Sequence, residues 1–172
     1  MFKKIKEYSV NKITDKNLKN RDLSCVNAPL TTLGFLTDET VFQDFDTLYD
    51  YATLLGIARK DIRVFSFLDC KKNTPSLRQN QVSEKNFTWE GNLKSTDARE
   101  FLNKSFDVLI GYYNGSNSFL DLMVSQSKAK FKIGGMGADK RLFDLLIAVD
   151  INDIETFKNE TKKYLTVLNK IE

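Results

Sequence analysis

Five short apolar runs, spaced to admit helices between most of them, constrain this chain more than any other feature. They are Thr31–Leu36 (TTLGFL), Ile62–Leu68 (IRVFSFL), Phe106–Tyr113 (FDVLIGYY), Ala129–Ile133 (AKFKI) and Leu142–Val149 (LFDLLIAV). Each has the length of a strand, and FDVLIGYY is apolar enough to be buried on both faces. Between the first two, Val41, Phe42, Phe45, Leu48, Tyr49, Ala52 and Leu55 recur at three and four residues, and Gly56 ends the pattern. That periodicity predicts a helix opened by Asp38-Glu39-Thr40. A strand, a helix and a second strand in succession make a right-handed parallel crossover.

The same reading extends along the chain. Residues 69 to 86 are polar, include Pro75, Lys71-Lys72 and Arg78, and form a long surface loop. Phe87-Thr88-Trp89 is either a short strand or a packing plug, and Ser95-Thr96-Asp97 caps a short helix through Leu102. Asn114-Gly115-Ser116 turns the third strand into a helix bearing Phe119, Leu120, Leu122, Met123 and Val124. At the C-terminus, Asn152-x-x-Glu155 resembles a capping box, and Ile154, Phe157, Tyr164, Leu165, Leu168 and Ile171 share one helix face. Residues 134–141 are too few for a helical crossover, so the fifth strand is expected to run antiparallel at an edge. The expected fold class is α/β: a three-layer α/β/α sandwich around a mostly parallel, five-stranded, Rossmann-like sheet with an antiparallel edge strand.

Composition excludes whole classes of chemistry. The chain of 172 residues contains no histidine, which removes Ser-His-Asp and Cys-His nucleophilic sites and imidazole acid–base catalysis. Cys25 and Cys70 stand far apart without Cys-x-x-Cys spacing, so no zinc site is expected and both read as free, buried thiols. The first strand runs into LTDET, which lacks the glycines of a dinucleotide fingerprint or phosphate loop. No cofactor is therefore expected, and the balance leans away from an enzyme. No stretch approaches a membrane span and no signal-peptide core opens the chain, which points to a cytoplasmic protein.

Charge is unevenly placed. Lys3, Lys4, Lys6, Lys12, Lys16, Lys19 and Arg21 face only Glu7 and Asp15 through residue 21, although the whole chain carries a formal +3. The remainder is therefore slightly acidic. With Asn27-Ala28-Pro29 as punctuation, residues 1–28 read as a basic, partly helical arm, and 29–172 as a single α/β domain. Phe2, Ile5, Tyr8 and Ile13 give the arm a thin, broken apolar face. A basic arm on a near-neutral body suits docking on a polyanion, with RNA or a ribonucleoprotein as the expected partner and an anionic membrane surface as the alternative. No DNA sequence reading is expected. The plainer explanation of the lysines is a solvated leader.

In open parallel sheets, ligands bind at the carboxyl ends of the strands, where strand order reverses. With strand order 2-1-3-4-5, the candidate crevice is lined by Asp38, Glu39, Tyr112, Asn114, Gly115 and Ser116. Asp38 and Glu39 could serve a cation or act as a base, although acids also favour helix N-termini on electrostatic grounds alone. Gly134-Gly135-Met136-Gly137, near Lys130, Lys132, Lys140 and Arg141, could form an anion nest or simply a flexible connection.

FDVLIGYYN, SNSFLDLMVSQSKAKFKIGG and DKRLFDLLIAVD, followed by a closing amphipathic helix, resemble a family of short bacterial α/β proteins known as a domain of unknown function. Ser127–Gly134 is the most specific part of that likeness. The strand FDVLI, a helix and AKFKIGG are also similar to the N-terminal half of heptosyltransferase-like glycosyltransferases. That resemblance implies a nucleotide-sugar donor bound mainly in a second domain, which this sequence does not contain. Taken together, these features lead to the expectation of a non-catalytic binding or adaptor protein. A small-molecule site for a nucleotide or sugar phosphate, including a degenerate glycosyltransferase-like domain, is the first alternative, and a peripheral membrane protein is the second.

Overall fold

The computed structural model describes residues 2–70 and 76–172. Lys71, Lys72 and Pro75 of the polar loop lie outside them. In chain order the elements are α1 (Phe2–Leu18), β1 (Leu33–Asp38), α2 (Phe45–Leu54), β2 (Ile62–Phe67), β3 (Gln81–Val82), α3 (Thr96–Asn103), β4 (Val108–Tyr112), α4 (Ser118–Gln126), β5 (Phe131–Gly135), β6 (Leu145–Ile147) and α5 (Ile154–Val167). One sheet of six strands has the order β3-β2-β1-β4-β5-β6, and every neighbouring pair is parallel.

Alternation along the strands divides the interior in two. Leu33 and Phe35 of β1, Val108, Ile110 and Tyr112 of β4, and Ile133 of β5 pack with Leu48 and Tyr51 of α2 and Phe157 and Leu165 of α5. Leu36, Phe65, Phe67, Leu109 and Tyr113 point the other way, onto Phe101 and Leu102 of α3 and Phe119, Leu122 and Met123 of α4. The sheet is therefore covered on both faces, as a parallel sheet requires.

Asp107 fastens the opposite, amino-terminal ends of three strands. Its Oδ2 accepts from the backbone N–H of Thr31 and Thr32, each at 2.9 Å, and from their hydroxyls at 2.6 and 3.1 Å. Its Oδ1 accepts from Lys130 Nζ at 2.7 Å. Burial alone would raise this carboxyl, but those donors hold it well below the usual carboxylate range.

Two expectations about the sheet are corrected. The strand count is six because the chain after β2 adds Gln81–Val82 at the edge. The strand formed from Leu142–Val149 is β6, and it runs parallel to β5, with Ile133, Gly134 and Gly135 facing Leu145, Leu146 and Ile147. The connection returns without a helix because its own side chains cover the sheet. Leu142 and Phe143 are buried in the core that α4 occupies. The Phe143 ring lies against Gly134 and Gly111, and a Cβ at Gly134 would come within 2.7 Å of it. Two glycines on neighbouring strands thus leave a recess that one phenylalanine fills.

Helix boundaries also shift. α2 starts at Phe45, and its N-cap is Asp44, whose side chain accepts from Thr47 N at 3.3 Å. Asp38, expected to open that helix, ends β1 instead. α4 is capped by Asn117 and α5 by Asp153, whose side chain accepts from Thr156 N at 3.0 Å. Ser95 caps α3 through Ala98 N at 3.2 Å, as the sequence reading anticipated.

The N-terminal segment does not stand apart from the body. Val10 is fully buried and Thr14 nearly so, while Ile13 and Leu18 pack on the same core as α4. Asn17 Nδ2 donates to Ser125 Oγ at 3.0 Å, and Lys6 Nζ to the Glu84 carbonyl at 3.2 Å. Beyond α1, Arg21 pairs with Asp144, and Lys170 Nζ donates to the carbonyls of Val26 and Ala28 at 2.7 and 3.0 Å. These contacts tie residues on both sides of residue 28 to each other. The buried face of α1 is Val10, Ile13, Thr14 and Leu18. Phe2, Ile5 and Tyr8, read from spacing as part of its apolar face, are exposed; of the two cysteines expected to be buried, Cys25 is exposed and Cys70 half-buried.

Candidate functional site

Two regions gather the sequence-derived candidates. The first is the crevice at the carboxyl ends of β1 and β4, where strand order reverses. Asp38 ends β1 with its carboxylate nearly buried; Oδ1 accepts from Thr40 N at 2.9 Å and Thr40 Oγ1 at 2.7 Å. Oδ2 accepts from Asn117 Nδ2 at 3.3 Å, across the gap from the N-terminus of α4. Asp38, Thr40, Ser116, Asn117 and Lys3 line a cleft of about 310 Å³. Asn117 was not singled out from the sequence, although an asparagine just before an apolar helical run carries the N-cap signal.

The other candidates of this crevice separate. Glu39 turns to the β2 side, where its Oε1 accepts from Ser66 Oγ at 2.6 Å, Gln81 Nε2 at 2.7 Å and Arg78 at 2.6 Å. It lines a different hollow, with Gln43 and Arg78. Tyr112 is buried on the α2 and α5 face, where its hydroxyl donates to the Ile151 carbonyl. Burial, then the nearby Asp153 and Asp150, push it up to about 12, so it serves as packing rather than as an acid or base. Asn114 and Ser116 are exposed on the turn, and Gly115 holds φ at 60°, the left-handed region that a glycine adopts freely. Only Asp38 and Ser116 of the six meet in one cleft.

A buried carboxyl that sequence reasoning missed lies next to this turn. Asp121 Oδ1 accepts from the Tyr113 hydroxyl at 2.6 Å. Burial raises Asp121 to about 6, the Tyr113 hydrogen bond and the Asn117 backbone opposing it and Asp139 adding to it. Of Lys130, Lys132, Lys140 and Arg141 around the glycine cluster beside it, Lys140 alone is exposed without an ion-pair partner among the described residues. Lys132 is buried, with Nζ donating to the Val124 carbonyl at 2.5 Å, and burial, then Arg21, lower it to about 7. Arg141 pairs with Asp139 and Asp15, at 2.7 and 3.0 Å, and Lys130 is committed to Asp107. Gly134 and Gly135 belong to β5, and Gly137 holds φ at 79° in the turn that follows.

The second region is α1 and the turn that follows it. Three of the seven flagged basic residues are engaged with the body: Lys3 lies 3.6 Å from Asp69 and 3.9 Å from Glu84, Lys6 sits over the Trp89 ring, and Arg21 pairs with Asp144. Lys4, Lys12, Lys16 and Lys19 are exposed, and none has an ion-pair partner among the described residues. With 3.6 residues per turn these four lie opposite Val10, in a stripe about 22 Å long. Ile5 and Tyr8 share that outward face, Asp15 being its one acid. Among the described residues no helix is long and apolar enough to cross a membrane.

No curated protein and no solved structure matches this chain. The model of a family of unknown function, DUF6913, matches residues 6–168, which spans the sheet, both helical layers and nearly all of α1. The chain is accordingly a member of DUF6913, a family of unknown function.

Proposed function

We propose that this protein is a non-catalytic adaptor that docks on RNA or a ribonucleoprotein surface through the outward face of α1. The observation that carries the reading is the stripe of Lys4, Lys12, Lys16 and Lys19 on a helix fixed by burial of Val10 and Thr14. Fixed charges lose less conformational freedom on docking than charges on a free arm, so more of their attraction to phosphates is retained.

Deleting the N-terminal segment would strip cover from α4 and confuse binding with folding. The test is therefore charge reversal of the four lysines to glutamate in the full chain, read by anisotropy of a labelled RNA over a salt series. Each lost phosphate contact flattens the slope of log affinity against log salt by about 0.7 for single strands, so the slope should fall by up to about 3. Equal affinity and equal slope in wild type and variant would reject the proposal.

A second reading has its own observation, the cleft of about 310 Å³ at the strand-order reversal. There Asp38 and Asn117 would hold a nucleotide or sugar phosphate, as the likeness to heptosyltransferase-like domains suggests. A thermal shift with such ligands, lost in Asp38→Ala, would favour this reading over the adaptor.

A further inference from the structure

The loop between β3 and α3 spends its packing in an unusual way. Ser83 and Asn86 form a reciprocal cap, Phe87 is buried against Phe119, and Phe87 bridges Leu93. Thr88 N donates to the Asn92 carbonyl at 2.8 Å and Gly91 N to the Thr88 carbonyl at 3.1 Å, closing a tight turn at the tip. Gly91 takes φ of 87°, and a Cβ there would meet Ile13 at 3.0 Å and the Val10 backbone at 3.1 Å. Only a glycine lets the tip press onto α1 this closely. The loop is thus anchored at its base and its tip, yet it leaves Trp89 48% exposed.

Trp89 has company at the surface. Its ring meets Phe2 edge to face, with centroids 5.1 Å apart, and Lys6 Nζ stands 5.6 Å from its centroid. Phe2 is 69% exposed. Two large rings held in water against each other at the N-terminal end of α1 form a feature that folding alone does not require. Stacking of unpaired bases on aromatic faces beside a cationic track is how single strands are bound without sequence reading. A duplex offers its phosphates but not the faces of its bases.

We propose that Trp89 and Phe2 form a stacking platform for unpaired nucleobases, with the α1 lysines following the backbone of the same strand. This rests on the RNA-docking reading and specifies its partner as single-stranded. A bilayer is the less favoured occupant. The outward face of α1 carries one aliphatic residue, Ile5, and four lysines, whereas a helix lying in a membrane interface presents a broad apolar face. Glu7, Asp69, Glu84 and Glu90 also stand near the rings or their lysines, and a fluid anionic surface would meet all of them at once, while a single strand can thread between them.

Trp89 is the one tryptophan of the chain, so its emission reports on the platform directly. The full chain is titrated with an unpaired oligouridylate of about 12 nucleotides, with a blunt RNA duplex, and with phosphatidylglycerol vesicles. The expected result is saturable quenching by the single strand, at a midpoint matching anisotropy, and little quenching by the duplex. Trp89→Leu and Phe2→Ala should each weaken single-strand binding by about tenfold while leaving duplex affinity unchanged. Circular dichroism checks that both variants are folded, and the wild-type quench needs no variant at all. Single-strand binding without quenching, or with undiminished affinity in folded Trp89→Leu, overturns the platform and leaves the lysine docking intact. A response to vesicles alone overturns it in favour of a membrane surface. Absence of any RNA binding, with the lysine reversal also silent, overturns both readings.

Discussion

Asp121→Asn should remove part of the pH dependence of stability. Asp121 is 8% exposed, and its carboxyl is raised from 3.8 to about 6, mainly by burial. A folded-state value above the unfolded one means that the native protein keeps a proton which the unfolded chain releases. The native state is therefore at its best below the unfolded value, near pH 4, and loses ground as pH rises through about 6. Roughly two units correspond to a penalty on the order of 3 kcal/mol at neutral pH. Asparagine keeps an oxygen to accept the Tyr113 hydroxyl and removes the titration. Urea unfolding at about pH 4.5 and about pH 7.5 should show wild type losing roughly 2 kcal/mol relative to the variant on going to the higher pH.

Other groups do not imitate this signal. Asp107 has a depressed folded value, so its stabilisation persists above the unfolded carboxylate range and fades only in stronger acid. Lys132, lowered to about 7, is present in both proteins and cancels in the difference. Tyr113→Phe removes the donor that opposes burial, so the transition should move to higher pH in that background. A gap between wild type and Asp121→Asn that is constant across the two pH values would refute the reasoning, because it would mean that the carboxyl does not titrate in the native state there.

Two further outcomes test the packing. Gly134→Ala places a Cβ where the Phe143 ring lies at 2.7 Å and should cost about 1–3 kcal/mol in urea unfolding, with part of that recovered in the double variant with Phe143→Leu. Thr37 is fully buried and its hydroxyl has no hydrogen-bond partner among the described residues, so Thr37→Val should leave stability unchanged or raise it by about 1 kcal/mol. A clear loss would show that the hydroxyl is satisfied.

The parts of the fold that were legible in the sequence are those decided locally. The strand cores of β1, β2, β4 and β5, the helical period of α2 and α5, and the cap at Ser95 follow from neighbouring residues. The errors arise where distant residues decide. Connection length argued for an antiparallel β6, but the recess made by Gly111 and Gly134 accepts Phe143 from a segment far along the chain. Two-residue β3 exists because Gln81 and Val82 meet β2, and no periodicity can show in so short a strand. Of the crevice, Asp38 was legible as a strand-end acid, whereas Glu39 departs because Ser66, Arg78 and Gln81 claim its carboxylate.

The misread face of α1 matters most for function. Phe2, Ile5 and Tyr8 fit a helical period as well as Val10, Ile13 and Leu18 do, and the sequence offers no means to choose between the two faces. The choice is made in three dimensions, where Val10, Ile13 and Leu18 pack on the core that α4 lines and Gly91 lets the loop tip close over Val10 and Ile13. Once that face is covered, the lysines and rings must share the opposite side and the helix's N-terminal rim. A charge-rich leader that looked detachable thereby becomes a fixed surface. On the proposed RNA docking, such a surface would select among polyanions by the spacing of its charges and rings, which a flexible tail of the same composition cannot do.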